Sequence, residues 1–235
     1  MIPIRDSIRS RTTPFVTVGL IIVNVIVFLK EVSLGSGTTE VLELFGFIPA
    51  RFVHWADDGG NPLSPFRFLP IFTAMFLHGG WAHIIGNMLY LWIFGDNVED
   101  RLGHVRFILF YFLCGAAAFG AQTLANPESM VPAIGASGAI AGVLGAYFIL
   151  YPRSRVLTLV PIFIIPWFVE IPAVVYLGLW FVLQLFSGAV ELTSQAGQVG
   201  GVAWWAHAGG FVSGIVLCLV LRKRQVPSLP PRVWA

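Results

Sequence analysis

The sequence predicts an all-α, polytopic membrane protein with six transmembrane helices, and three observations carry that prediction. Of its 235 residues 57% are hydrophobic and only 11% charged, whereas a soluble domain carries about a quarter charged residues. Several apolar stretches approach the roughly 20 residues that a helix needs to cross about 30 Å of hydrocarbon. The basic residues sit in short clusters between these stretches. They form no stripe with interleaved aromatics, so with a net charge of only +2 nucleic acid is not an expected partner.

Residues 1–13 read as an N-terminal segment, 14–221 as one membrane domain and 222–235 as a short proline-bearing tail. The basic start followed by apolar Pro14–Leu29 resembles a signal peptide. The run is long for one, however, and Lys30–Gly37 offers no small-x-small cleavage site, so it reads as a retained first helix. The tail shows no lipid-anchor signal. Five further spans follow: Trp81–Phe94, Val105–Ala125, Gly135–Tyr151, Pro172–Ser187 and Ala203–Leu221. The second, fourth and fifth spans are short for a full crossing. Their outer ends should therefore stop below the headgroups or be shielded by protein, which implies a recessed site.

Pro161, Pro166 and Pro172 interrupt Val156–Ser187, which reads as a hydrophobic inner loop followed by the fifth helix, because a seventh crossing would put the basic C-terminus outside. Of 14 lysines and arginines only Lys30, Arg51 and Arg67 fall on one side of a six-span arrangement, leaving 14 − 3 = 11 on the other. That asymmetry places both termini in the cytoplasm, with a bacterial plasma membrane as the expected location. The first loop, Lys30–Phe72, carries Phe45, Phe47, Trp55, Phe66 and Phe68 and should lie partly in the outer interface. Cys114 and Cys218 lie inside apolar runs without metal-ligand spacing and read as packing residues. No internal repeat of the transporter kind is visible.

Polar side chains inside a membrane are costly, about 2.5–3.5 kcal/mol for a charge at mid-helix on insertion scales, so those that remain call for a reason. The second span offers His83 and Asn87, four apart on one face, with His78 just before it; the fourth offers Ser137 and the sixth His207. Topology puts His78, Ser137 and His207 near one depth. Gly138, Gly142 and Ala146 in the fourth span, and Ala206, Gly210 and Gly214 in the sixth, form small-residue faces that let two backbones approach closely. Ser137 and His207 stand at the outer ends of these faces, within reach of the hydrogen bond that a serine nucleophile needs. Ser137 also lies in the first turn of its helix, where unpaired N–H groups and a positive dipole suit an oxyanion. His83 and Asn87 can add side-chain donors. No Asp or Glu lies in the outer half of a span, so a Ser–His dyad is expected, with no metal and no cofactor. His54 and His104 read as solvated loop residues, Glu99 and Arg101 as a structural pair, and Trp204 and Trp205 as an aromatic belt.

These residues fall into motifs that resemble those of the rhomboid intramembrane proteases. His78-Gly-Gly-Trp-Ala-His83-Ile-Ile-Gly-Asn87 matches the family's second-helix pattern, Gly135-Ala-Ser-Gly138 its nucleophile motif, and Ala206-His207-Ala-Gly-Gly210-Phe-Val-Ser-Gly214 its sixth-helix motif. Glu99-Asp-Arg101-Leu-Gly103 resembles the segment after the second helix, and Arg67 the arginine of a first-loop Trp-Arg pair. The resemblance runs from Pro14 to Leu221. It implies a six-helix rhomboid-like fold and a serine endopeptidase that cuts transmembrane protein substrates within the lipid bilayer. Ser137 would then be nucleophile and His207 general base, and His83, Asn87, Ala136 and His78 would serve the oxyanion and substrate positioning. It also suggests Pro172–Ser187, with the Gly188–Gly201 loop, as a lateral gate.

Two departures stand out. Phe66 replaces the loop tryptophan, and Ala141 stands where some members stack a tyrosine on the catalytic histidine, so the sequence names no residue that orients His207. A catalytically inactive, client-binding rhomboid-like protein is the nearest alternative, and it would be marked by loss of the serine or histidine. A zinc intramembrane protease would need spacing such as His-Glu-x-x-His, which is absent.

Overall fold

The computed structural model describes residues 1–57, 59–162, 165–193 and 202–222. The helices are α1 (Phe15–Ser33), α2 (Thr38–Phe45), α3 (Pro49–Val53), α4 (Pro65–Thr73), α5 (Trp81–Leu102), α6 (His104–Ala125), α7 (Ser137–Leu150), α8 (Ala173–Thr193) and α9 (Trp204–Leu221). Among the described residues α1, α6, α8 and α9 are each long and apolar enough to cross a membrane. The segment Pro65–Phe76 and α5, bent by 83° against each other, make a fifth candidate when taken together as one span, while α7 is a shorter apolar helix. The six expected spans thus coincide with six helices, four or five of which satisfy a spanning length.

The centre of the bundle is α7. Every residue from Gly138 to Tyr147 is buried, as expected of a helix apolar on all sides. Its 14 residues rise only about 21 Å at 1.5 Å each. Small residues set its neighbours: a Cβ on Gly138 would strike the Ala118 side chain of α6, one on Gly142 the Cys114 sulfur, and one on Gly145 the Phe211 carbonyl of α9. From the other side, a Cβ on Gly210 would fall onto the Gly138 carbonyl oxygen and one on Gly214 onto that of Gly142. Helices α6, α7 and α9 therefore meet nearly backbone to backbone, the close approach that small-xxx-small faces permit. Large apolar side chains instead face outward, among them Ile22, Ile26 and Leu29 of α1 and Leu179, Leu183 and Phe186 of α8.

A three-stranded antiparallel sheet corrects the all-α expectation. Strands β2 (Arg155–Ile162) and β3 (Ile165–Pro172) form a hairpin where an irregular inner loop was expected, and β1 (Ile2–Asp6) of the N-terminal segment pairs with β2. Val156, Leu157, Thr158, Leu159 and Val160 are the β-favouring run responsible. Pro161 faces Pro166 near the tip of the hairpin, away from the central β2 positions that must donate to both neighbours. The sheet follows the C-terminal end of α7, at the end of the bundle opposite Ser137. Asp6 is buried there and accepts hydrogen bonds from Asn97 Nδ2 at 3.0 Å and from the Tyr147 hydroxyl.

Other expectations shift for local reasons. The second helix does not stop at Phe94 but continues to Leu102, ending at Gly103, whose φ of 81° lets the chain turn directly into α6. Glu99 is thereby fully buried, and it accepts from Val16 N, Thr17 N, Thr17 Oγ1 and His104 Nδ1 at 2.6–3.0 Å. It caps α1, so its partners are the α1 N-terminus and His104 rather than Arg101, and His104 is no solvated loop residue. The first loop is built from α2, α3 and α4, and Phe47 is 2% exposed, stacked on Phe119 at 4.8 Å. Arg67 donates to the Phe52 carbonyl through Nε and Nη2 at 3.2 and 2.9 Å and lies over the Phe52 ring. Phe66 is 71% exposed, so the loop's internal anchor is Phe52. His54 joins this loop to the next through Asp57 and Glu128 at 3.1–3.2 Å, and those carboxylates, Asp57 first, raise its pKa. Asp58, most of the 188–201 loop and residues 223–235 of the tail lie outside the described residues; Gly188–Thr193 belongs to α8.

Candidate active site

The loop before α7 delivers Ser137. Gly135 takes a φ of 114°, a region that only glycine enters readily, and its N–H donates to the Ala74 carbonyl at 2.8 Å. Ala136, wholly buried, then caps α7, so that Ser137 opens the helix as its first residue with a partly accessible side chain. Its backbone N–H is thus among those at the positive end of the helix.

Helix α9 brings His207 from the other side of the glycine crossing. His207 Nε2 lies 2.8 Å from Ser137 Oγ, a full hydrogen bond by distance. The start of α9 is held by Gln122 of α6, whose Oε1 accepts from Ala206 N at 3.2 Å. Two indole rings flank the imidazole, Trp180 of α8 at 5.9 Å between centroids and Trp204 at 6.2 Å edge-on. Trp204 therefore packs on the site, beyond the belt role expected for it.

Helix α5 supplies two donors. An ideal Cβ built on Gly135 would lie 2.7 Å from His83 Nε2 and 3.5 Å from Asn87 Nδ2, so both nitrogens converge two residues before Ser137. Gly79 N donates to His83 Nδ1 at 3.4 Å, which leaves the proton of a neutral ring on Nε2, facing the site. Asn87 Nδ2 is buried and has no hydrogen-bond partner among the described residues, a donor available to an incoming acceptor. His78 is 2% exposed. Its ring meets that of His83 at 5.0 Å, and its backbone N–H donates to both Glu31 oxygens at 3.3 Å.

Glu31 corrects the expectation that no acid lies in the outer half of a span. Helix α1 runs four residues past Leu29 to Ser33 and carries Glu31 at 2% exposure. It holds the turn at His78 and makes no bond to His207. The residue missed altogether is Gln184 of α8, whose Oε1 lies 2.8 Å from His207 Nδ1. Its signal in the sequence was an amide side chain inside an apolar helix, one turn after Trp180.

The arrangement offers a hydroxyl beside a base, two side-chain donors near Gly135 and a helix N-terminus at Ser137, the elements of acyl transfer. Among the described residues there is no group of three metal-ligating side chains.

Comparison with known proteins bears on the same stretch. Residues 65–224 match the family described as Rhomboid domain. The chain is 31% identical over 194 residues, 82% of its length, to the rhomboid protease GluP of Bacillus subtilis. It is 31% identical over 154 residues to RHOMBOID-like protein 1 of Arabidopsis thaliana and 31% over 152 residues to Rhomboid protein 1, mitochondrial, of Saccharomyces cerevisiae. These matches span 32%, 34% and 40% of the three relatives' lengths.

Proposed function

Because the chain belongs to the rhomboid family, we propose that it is an integral membrane serine endopeptidase that hydrolyses peptide bonds in or near transmembrane segments of other proteins. The observation that carries this reading is the 2.8 Å contact between Ser137 Oγ and His207 Nε2 beside the converging donors of α5. In the mechanism, His207 Nε2 takes the Ser137 hydroxyl proton as Oγ attacks the scissile carbonyl carbon. The carbonyl oxygen becomes an oxyanion that accepts from His83 Nε2–H, Asn87 Nδ2–H and the backbone N–H of Ser137, with Ala136 shaping the turn. On collapse His207 returns the proton to the leaving amine. A water, deprotonated by the same imidazole, then releases the acyl group and restores Ser137. No metal or cofactor enters these steps.

The reading includes six crossings, with α7 short and enclosed, both termini in the cytoplasm on the positive-inside asymmetry, and a bacterial plasma membrane as its setting. A fluorophosphonate that forms a covalent adduct at Ser137, and none in Ser137→Ala, tests it. Lack of reaction with the intact protein would favour the inactive, client-binding alternative.

Loss of either oxyanion side chain should act on turnover. Asn87→Ala or His83→Ala is expected to lower kcat by about 10²-fold or more with little change in KM, since the lost bonds strengthen only in the transition state. A rise in KM alone would assign them to binding. His78→Ala should be milder, as its ring acts through His83.

Access by a membrane helix requires a movable wall, and α8 is the candidate. Its inner end is tied to α5 by the Tyr90–Tyr176 hydroxyl pair at 2.7 Å, while Leu183 and Phe186 further out face away from the bundle. Trp180, within the expected gate segment, packs on His207, so its removal would disturb chemistry as well as entry. A disulfide joining the outer halves of α5 and α8 is the cleaner test. It should slow cleavage of a membrane substrate at least about tenfold while sparing a short soluble peptide, which gains less from lateral binding. Equal rates on both substrates would place entry elsewhere.

A further inference from the structure

We propose that Gln184 is the positioning residue that keeps His207 in the tautomer and orientation of a base; the inference rests on the Ser137–His207 reading above.

The argument is one of hydrogen-bond arithmetic. Gln184 is 6% exposed on α8, and among the described residues its amide has two neighbours, the Trp180 carbonyl at 3.1 Å and His207 Nδ1 at 2.8 Å. A backbone carbonyl only accepts, so the amide NH₂ must point to Trp180. That turns Oε1 toward His207, and Oε1 also only accepts. Nδ1 must therefore carry a proton. In a neutral imidazole the other nitrogen, Nε2, is then left with its lone pair, and Nε2 is the atom 2.8 Å from the Ser137 hydroxyl. The fixed direction of one peptide carbonyl thus determines, through two hydrogen bonds, which face of the imidazole accepts the serine proton.

The residue type suits the surroundings. A carboxylate in this place would hold the same Nδ1 proton, but would bring a charge into an apolar helix with lipid on its far side. An amide accepts the bond without that cost and keeps accepting when the ring becomes an imidazolium. Trp180, one turn earlier on α8, packs beside the same ring, so two residues of α8 bear on His207, one at Nδ1 and one beside the ring.

The test uses the full-length protein in detergent micelles and a short soluble peptide substrate, so that lateral entry past α8 is not limiting. Gln184→Leu is expected to lower kcat about 10- to 100-fold, the cost of a misaligned catalytic group, with KM within about twofold. The rate of fluorophosphonate reaction at Ser137 should fall in parallel. Gln184→Glu, which can still accept from Nδ1, should recover most of the loss. Gln184→Met, equal in length, serves if leucine is not accommodated. Leu183→Ala, on the outward face of α8, should behave as the wild type. Wild-type kcat in both Gln184→Leu and Gln184→Met would overturn the proposal. So would a change confined to KM, or a Gln184→Glu protein no better than Gln184→Leu. If instead the wild-type protein and Ser137→Ala were equally unreactive toward the fluorophosphonate, the underlying dyad itself would fail, a result that Gln184 variants cannot mimic.

Discussion

Ser137→Ala and His207→Ala are each expected to reduce cleavage of a transmembrane substrate by more than about 10³-fold, to background, because nucleophile and base act as one unit and either is useless without the other. The two losses should be nearly equal, and the double variant no worse than either. Both proteins should insert and fold as the wild type does. Ser137 Oγ contributes a single bond to the bundle, and His207 is flanked by indole rings that remain. The measurement is cleavage of a labelled membrane substrate in proteoliposomes, alongside thermal unfolding in detergent. Substantial hydrolysis by purified Ser137→Ala would remove the nucleophile assignment, and losses that multiplied in the double variant would show that the two residues do not act together.

The second large effect concerns the α7–α9 crossing. Gly214→Val places side-chain atoms where the Gly142 carbonyl already stands, and backbone, unlike a side chain, cannot rotate out of the way. A destabilisation upward of about 3 kcal/mol is expected, at or beyond the top of the usual overpacking range. Activity should fall with it, because the same contact sets the distance between the helices that carry Ser137 and His207. Gly120→Ala is the control: nothing stands within 4 Å of its Cβ position, and it should leave both folding and cleavage unchanged. If Gly214→Val unfolded at the same temperature as Gly120→Ala, close glycine contact would not be what aligns the dyad.

Legibility followed the range of the interaction that determines each feature. The six helical runs were readable because span length and apolarity are properties of contiguous residues. The small-residue stripes of α7 and α9 were readable because helical periodicity places i and i+4 on one face. The hairpin of β2 and β3 was not, since in so apolar a chain Val156–Val160 differs from helix-forming runs mainly by its β-branched residues and the prolines around it. Pairing with β1 joins Asp6 to Val156 across all the helices from α1 to α7, and no local pattern announces that. Glu31 was missed because helix α1 continues past the apolar run that defined it.

The sequence by itself determined that this chain is a bundle of apolar helices, with His78, Ser137 and His207 expected near one depth and His83 and Asn87 on one helix face, and that two of the helices can approach closely. These follow from hydropathy, periodicity and the steric freedom of glycine, all encoded within a turn or two. Only the tertiary structure decided what those side chains face. It set the 2.8 Å separation of Ser137 and His207, turned His83 and Asn87 over Gly135, and gave Gln184 to His207 Nδ1 where the sequence named no partner. A hydrogen bond is a condition on angle and distance, satisfied to within a few tenths of an ångström, and helices distant in sequence meet that condition only after the backbone contacts of α6, α7, α8 and α9 have fixed their positions together.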